Sequence, residues 1–186
     1  MRTVMTVVMA ALVVALVLSL PATADDSQVV TITMTGASHV AISLDVTHWP
    51  LGDVARDEEH HTTPQIEWCT LTVTGDSAVN TFIEGRDATW VDNPGAYKWT
   101  LSADGSNGEQ VYGLWFRISG DTTRGPHQDG YVPVTKNQSA FWPYGGGSSL
   151  EPGASKKFGL RLLTPSEFTG GRTMETQITI IAVAAP

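Results

Sequence analysis

The densest grouping of metal-ligating and acid–base side chains in this chain is Asp57-Glu58-Glu59-His60-His61. Zinc hydrolases set two histidines four apart on a helix, as in H-E-x-x-H, so that both rings face one ion. Here the histidines are adjacent. On a strand they point to opposite faces, and in a loop they need further donors, with His39, His48 and His127 the other histidines. Glu59, His60 and His61 are the candidate metal set, weighed against a solvated acidic loop.

Other chemistry has thinner support. No G-x-S-x-G elbow is present, and Cys69, the single cysteine, falls inside an alternating apolar stretch rather than at a helix N-terminus that would lower its pKa. It reads as a small buried hydrophobe, and no catalytic residue is assigned. Acidic pairs such as Glu84 with Asp87, or Asp121 with Asp129, have the residue types of glycosidase carboxylates, but any acidic chain offers such pairs.

The six tryptophans are Trp49, Trp68, Trp90, Trp99, Trp115 and Trp142. Exposed indole planes stack on sugar faces, which makes Trp115, on the row opposite its strand's apolar one, and Trp142 with Tyr144, in a glycine-rich loop, the candidate ligand-binding residues. Tryptophan also plugs cores and sheet edges while its N–H reaches a carbonyl. Asn137-Gln138-Ser139 is an N-glycosylation sequon and points to an exposed loop.

These residues must be carried by a fold, and the first 24 residues are expected to take no part in it. Arg2, the apolar run Val4 to Leu20 and Ala22-Thr23-Ala24 form the three parts of a secretory signal, with cleavage expected before Asp25. Retention as a membrane anchor is the alternative. Removing Arg2 with the leader leaves 10 Lys plus Arg against 19 Asp plus Glu, a charge of 10 − 19 = −9 on 186 − 24 = 162 residues. Nucleic acid and anionic lipid demand basic surfaces, so neither is an expected partner. The length suits one domain. With one cysteine, no intramolecular disulfide is available, and burial between sheets must supply stability.

The chain reads as strand after strand. Gln28 to Thr35 alternates Val30, Ile32 and Met34 with threonines, and His39 to Thr47 places Val40, Ile42, Leu44 and Val46 on one face. Residues His48 to Pro64 form a surface loop or a short edge strand. Cys69, Leu71 and Val73 alternate with threonines, and Gly75-Asp76-Ser77 predicts a turn into a return strand through Val79, Thr81 and Ile83. Phe82 disturbs that alternation and leaves its inward face open. Further strands are expected at Tyr97 to Ala103, Gln110 to Ile118, Tyr131 to Thr135, Lys156 to Leu163 and Glu175 to Ala184. The stretch Gln110 to Ile118 is the most apolar and so central, whereas Pro133 marks an edge. About nine short strands without a sustained helical period predict an all-β fold, a single antiparallel sandwich over residues 25–186, with a closed barrel as alternative.

Two stretches carry a resemblance. Trp49-Pro50-Leu51-Gly52-Asp53-Val54 with Leu71 to Val79, and Leu150-Glu151-Pro152-Gly153-Ala154-Ser155-Lys156-Lys157-Phe158, are similar to recurring turns and strand starts of bacterial and archaeal cell-surface β-sandwich modules. Within that group the pattern resembles the TasA-like matrix proteins. Trp99-Thr100-Leu101 resembles the first motif of WxL wall-binding domains, whose second motif has no counterpart in the final ITIIAVAAP. The resemblance implies an Ig-like sandwich with a structural or adhesive role and no catalytic residues.

The expectation is thus a non-enzymatic secreted or cell-surface protein, structural or adhesive, that needs no cofactor. It would pair with copies of itself, or with another surface protein or polysaccharide, and stay off the membrane once the leader is removed. Gln28 to Thr35 and Glu175 to Ala184 are the strands most available for pairing. A carbohydrate-binding module using tryptophan is the alternative.

Overall fold

Alternation of apolar and hydroxyl-bearing side chains decides which stretches become strands. The computed structural model describes residues 39–120, 130–143 and 148–186. The leader, the expected strand Gln28 to Thr35, the stretch 121–129 and Tyr144 lie outside the described residues. Twelve strands and no helix are found among the described ones: β1 (Ile42–Leu44), β2 (Glu59–His61), β3 (Cys69–Val73), β4 (Val79–Gly85), β5 (Ala88–Trp90), β6 (Lys98–Leu101), β7 (Val111–Ile118), β8 (Val132–Pro133), β9 (Ser139–Trp142), β10 (Ser155–Leu163), β11 (Met174–Glu175) and β12 (Ile178–Ala184).

They form two sheets. The larger runs β1-β3-β10-β7-β6-β5-β11, with β2 also on β10 and β8 also on β7; the smaller runs β12-β4-β9. The expected count of about nine is exceeded because several connecting stretches make two- or three-residue strands. The expectation of a wholly antiparallel arrangement is corrected, since β6 and β7 pair in parallel, Thr100 opposite Val111 and Leu101 opposite Tyr112, and Glu109 makes an isolated parallel bridge with Glu167. As expected, β7 is central: β10 flanks one edge, while β6 and β8 share the other. The Pro133-containing β8 has β7 as its one partner among the described strands.

A second correction concerns the turn at Gly75-Asp76-Ser77. The flanking strands do not form a hairpin. β3 pairs with β1 and β10, whereas β4 pairs with β12 and β9, so the chain crosses from one sheet to the other. The cause is local. A Cβ on Gly75 would lie 2.1 Å from the carbonyl oxygen of His39, so the backbone of residues 39–41 occupies the space beside the turn. Gly75 N–H donates to Ala41 O at 3.1 Å, and Asp76 N–H donates to His39 O at 3.0 Å. Only glycine allows that approach.

Between the sheets lies one core. The larger sheet contributes Cys69, Leu71 and Val73, then Tyr112, Leu114, Phe116 and Ile118, then Phe158, Leu160 and Leu162. The smaller contributes Val79, Ile83 and Phe141, with Ile178, Ile180 and Ala182 packed against them. The inward face of β4 is thereby settled as Val79, Thr81, Ile83 and Gly85, with Phe82 outside. Phe141 joins the layers: its ring stacks on Phe116 at 5.1 Å and meets Phe158 edge-on at 5.1 Å. Each such side chain contributes roughly 1.5–3 kcal/mol on burial.

Candidate functional site

The acidic-histidine run forms β2, pairing with the C-terminal half of β10. Because side chains alternate along a strand, the histidines separate. His61 Nε2 lies 2.5 Å from Glu59 Oε1, while His60 Nε2 lies 3.3 Å from Glu58 Oε2, close enough for an ion pair but outside hydrogen-bond alignment. Each imidazole has its own carboxylate two residues earlier. The proposed metal set Glu59, His60 and His61 therefore does not converge on one point, and among the described residues no group of three or more His, Cys, Asp or Glu could hold an ion.

Trp115 is placed differently from the expectation of an open stacking surface. It does lie on the outward row of β7, yet it is only 7% exposed. A Cβ on Gly113 would touch its ring at 2.5 Å and one on Gly105, at φ 87°, would touch it at 2.3 Å, so two glycines form a slot for the indole. Above the ring sits the Arg161 guanidinium, 4.2 Å from its centroid and 4.8 Å from that of Tyr131. Tyr131 in turn meets His61 edge-on at 5.9 Å. Arg161 stands directly opposite both Trp115 and His61 in the ladder, so the stack is built from one cross-strand row. No ring face of Trp115 is left for a sugar. Gly113 in mid-strand and Gly105 in its neighbouring loop were the available signal for this slot.

The loop over the slot is held by Asp104. Its carboxyl is lowered to about 2, first by the Ser106 hydroxyl, then by the Ser106 N–H and the Ser102 hydroxyl.

Trp142 remains the more accessible candidate. It is half-buried on β9, its indole N–H donates to Ser148 O at 3.0 Å, and Lys156 Nζ sits 3.8 Å from the ring centroid. A shallow cleft beside it is lined by Ser149, Glu151, Ser155 and Lys156 among others. Its expected companion Tyr144 lies outside the described residues. Asn137 is exposed in the bend between β8 and β9.

The remaining reactive groups are occupied structurally. Burial pushes the Cys69 thiol up to about 11, and its Sγ donates to Val46 O at 3.3 Å. At Asp87 burial works to raise the carboxyl, but Lys136 at 2.6 Å, the Leu101 N–H at 2.9 Å and Lys98 at 3.5 Å outweigh it and hold it below the usual carboxylate range. Asp87 is thus a clamp joining sequence-distant segments.

The feature with most capacity for recognition is an edge. β12 pairs along seven residues with β4 and has no other strand neighbour among the described residues. Ala185 N–H donates to Ala78 O at 2.8 Å. By the alternation of an antiparallel ladder, Thr179, Ile181 and Val183 then bond to β4, while the main-chain groups of Ile178, Ile180, Ala182 and Ala184 face away from it. The side chains of Ile178, Ile180 and Ala182 reach the core; those of Thr179, Ile181 and Val183 lie on the outer face. There Ile181 sits opposite Phe82, and Val183 is 48% exposed. The expected strand Glu175 to Ala184 is observed as two, since Met174 and Glu175 pair with β5 as β11. In comparison with known proteins, the chain matches no family model and no curated protein.

Proposed function

We propose that this is a non-enzymatic, exported structural or adhesive protein, an Ig-like sandwich that associates with copies of itself or with other surface macromolecules by strand pairing. The observation that carries this reading is the β12 edge. Folded proteins blunt exposed edges with charges, prolines, bulges or brevity. Ile178 to Ala184, ITIIAVA, is seven residues long and contains neither charge nor proline. Such an edge suits a partner strand, whose backbone supplies affinity and whose side chains supply selectivity. The secretory pattern of the leader and the TasA-like motifs agree with an extracellular role.

The test is association. Light scattering across a concentration series should show mass above the monomer, and Ala182→Pro should abolish it. That substitution removes an outward N–H while leaving the bonds to β4 in place. A monomeric mass at every concentration would refute self-association.

Carbohydrate recognition is the second reading, favoured by the half-buried Trp142 beside its cleft. A specific glycan-array signal that disappears in Trp142→Ala but persists in Ala182→Pro would establish it.

A further inference from the structure

We infer that the occupant of the β12 edge is β12 of a second copy, paired antiparallel about a two-fold axis with Ile181 facing Ile181. This rests on the self-association proposed above and specifies its partner, site and register. The main-chain groups directed away from β4 belong to Ile178, Ile180, Ala182 and Ala184. A two-fold centred on Ile181 sets Ile178 against Ala184 and Ile180 against Ala182 of the other copy, in both senses. Every outward-facing group then meets an outward-facing group, giving about eight hydrogen bonds at two for each of four opposed pairs. Moving the axis to Ile180 or Ala182 drops part of that set, and centring it between two residues opposes inward with outward groups throughout.

The side chains favour the same register. On the outer face, Phe82 lies opposite Ile181 in one copy, with Ala140 beyond it on β9. Pairing Ile181 with Ile181 of the second copy extends this into a continuous apolar row, Ala140-Phe82-Ile181 followed by its two-fold image. In the next row Val183 faces Thr179 of the second copy, with Asn80 and Glu84 on the flanking strands. No like charges are opposed anywhere along the seam. For a chain of net charge −8 that matters, because two copies repel overall and an uncharged seam adds no directly opposed carboxylates to that repulsion. The small side chains of Ala182 and Ala184, which face Ile180 and Ile178 across the axis, leave room for the larger partner on the core side.

Cysteine cross-linking reads the register directly. In a non-hydrogen-bonded antiparallel pair the Cα atoms lie about 4.5 Å apart, within disulfide reach. Ile181→Cys should therefore become a disulfide-linked dimer as the major species on mild oxidation. Thr179→Cys alone should stay uncross-linked, and a mixture of Thr179→Cys with Val183→Cys should form the heterodimer. Native Cys69 is buried and does not compete. As a second variant, Ile181→Lys opposes two ammonium groups and should weaken the dimer by about tenfold or more.

If scattering shows self-association but Ile181→Cys does not cross-link, or Thr179→Cys cross-links with itself, this register is wrong while the broader reading survives. If Ile181→Cys cross-links only after Asp25 to Gly36 is deleted, that segment of the chain owns the edge and the inference fails. A protein monomeric under all conditions fails both the register and self-association.

Discussion

Thr62 and Leu160 exchange two hydrogen bonds at the break between β2 and β3. Leu160 N–H donates to Thr62 Oγ1 at 3.0 Å, and Thr62 N–H donates to Leu160 O at 3.1 Å. The hydroxyl also donates to Gln65 O at 3.0 Å, so one side chain that is 1% exposed completes the edge of β10 where the neighbouring strand is interrupted. Thr62→Val keeps the shape and the main-chain bond from Thr62 N–H to Leu160 O, and removes the bonds made by the hydroxyl. Leaving the Leu160 N–H buried and unpaired should cost about 1–3 kcal/mol, readable as a lower urea midpoint at unchanged slope.

Gly159 lies beneath the same crossing. A Cβ there would fall 1.2 Å from Gln65 O, which is backbone and has no way to rotate aside. Gly159→Ala should destabilise by about 3 kcal/mol or more, at the upper end of overpacking costs. Gly153→Ala meets nothing within 4 Å and pays only for its φ of 79°, so its loss should be the smaller of the two.

Acid should loosen the fold through Asp104, described above, and three further carboxylates. Asp87 is held below its usual range as described, Asp45 chiefly by the Thr70 N–H, and Asp76 chiefly by the His39 N–H. Each has a lower pKa folded than unfolded, so the stability it confers is complete above about pH 4 and is lost as pH falls through the folded value. Denaturant melts of the wild type should show this decline. Asp87→Asn should be less stable at pH 7, and the gap to wild type should narrow in acid. A constant gap would show that Asp87 acts by packing alone.

Cys69 should be chemically silent in the native state. With its thiol raised to about 11 and no exposed surface, it presents almost no thiolate near neutrality. Iodoacetamide at pH 8 should label it only after denaturation, as read by mass spectrometry. Rapid native labelling would contradict the placement of β3.

Arg161→Ala should uncover Trp115. Losing the guanidinium from the Trp115–Tyr131 sandwich removes a cation–π contact of about 0.5–2 kcal/mol together with the packing of its stem. Acrylamide quenching of tryptophan fluorescence should rise, while Arg161→Lys should keep part of the shielding.

Strand faces could be read in the sequence, and partners could not. Alternation in Cys69 to Val73, in Tyr112 to Ile118 and in Phe158 to Leu162 correctly identified the inward rows, because period two is a local property. Whether β4 turned back on β3 or crossed to the other sheet depended on the backbone at His39 to Ala41, far from the turn in sequence. Trp115 looked exposed for the same reason: alternation placed it outward, but the covering came from Gly105, Arg161 and Tyr131 on other elements. The histidine pair was legible to the extent that adjacency forbade a shared ion on a strand, and β2 is that strand. β12 was expected as available for pairing, yet its outward groups required the register with β4.

One consequence follows from the crossing at Gly75. Only Thr74 to Ala78 separate β3 from β4, a span of at most about 3.3–3.6 Å per residue. A pull along β12 is taken up in shear by the seven-residue ladder with β4 and passed through that short covalent bridge to β3, beside the nine-residue strand β10, which is next to central β7. Tension entering at the rim of the small layer therefore reaches the middle of the large one through peptide bonds, without having to drag the aromatic interior apart.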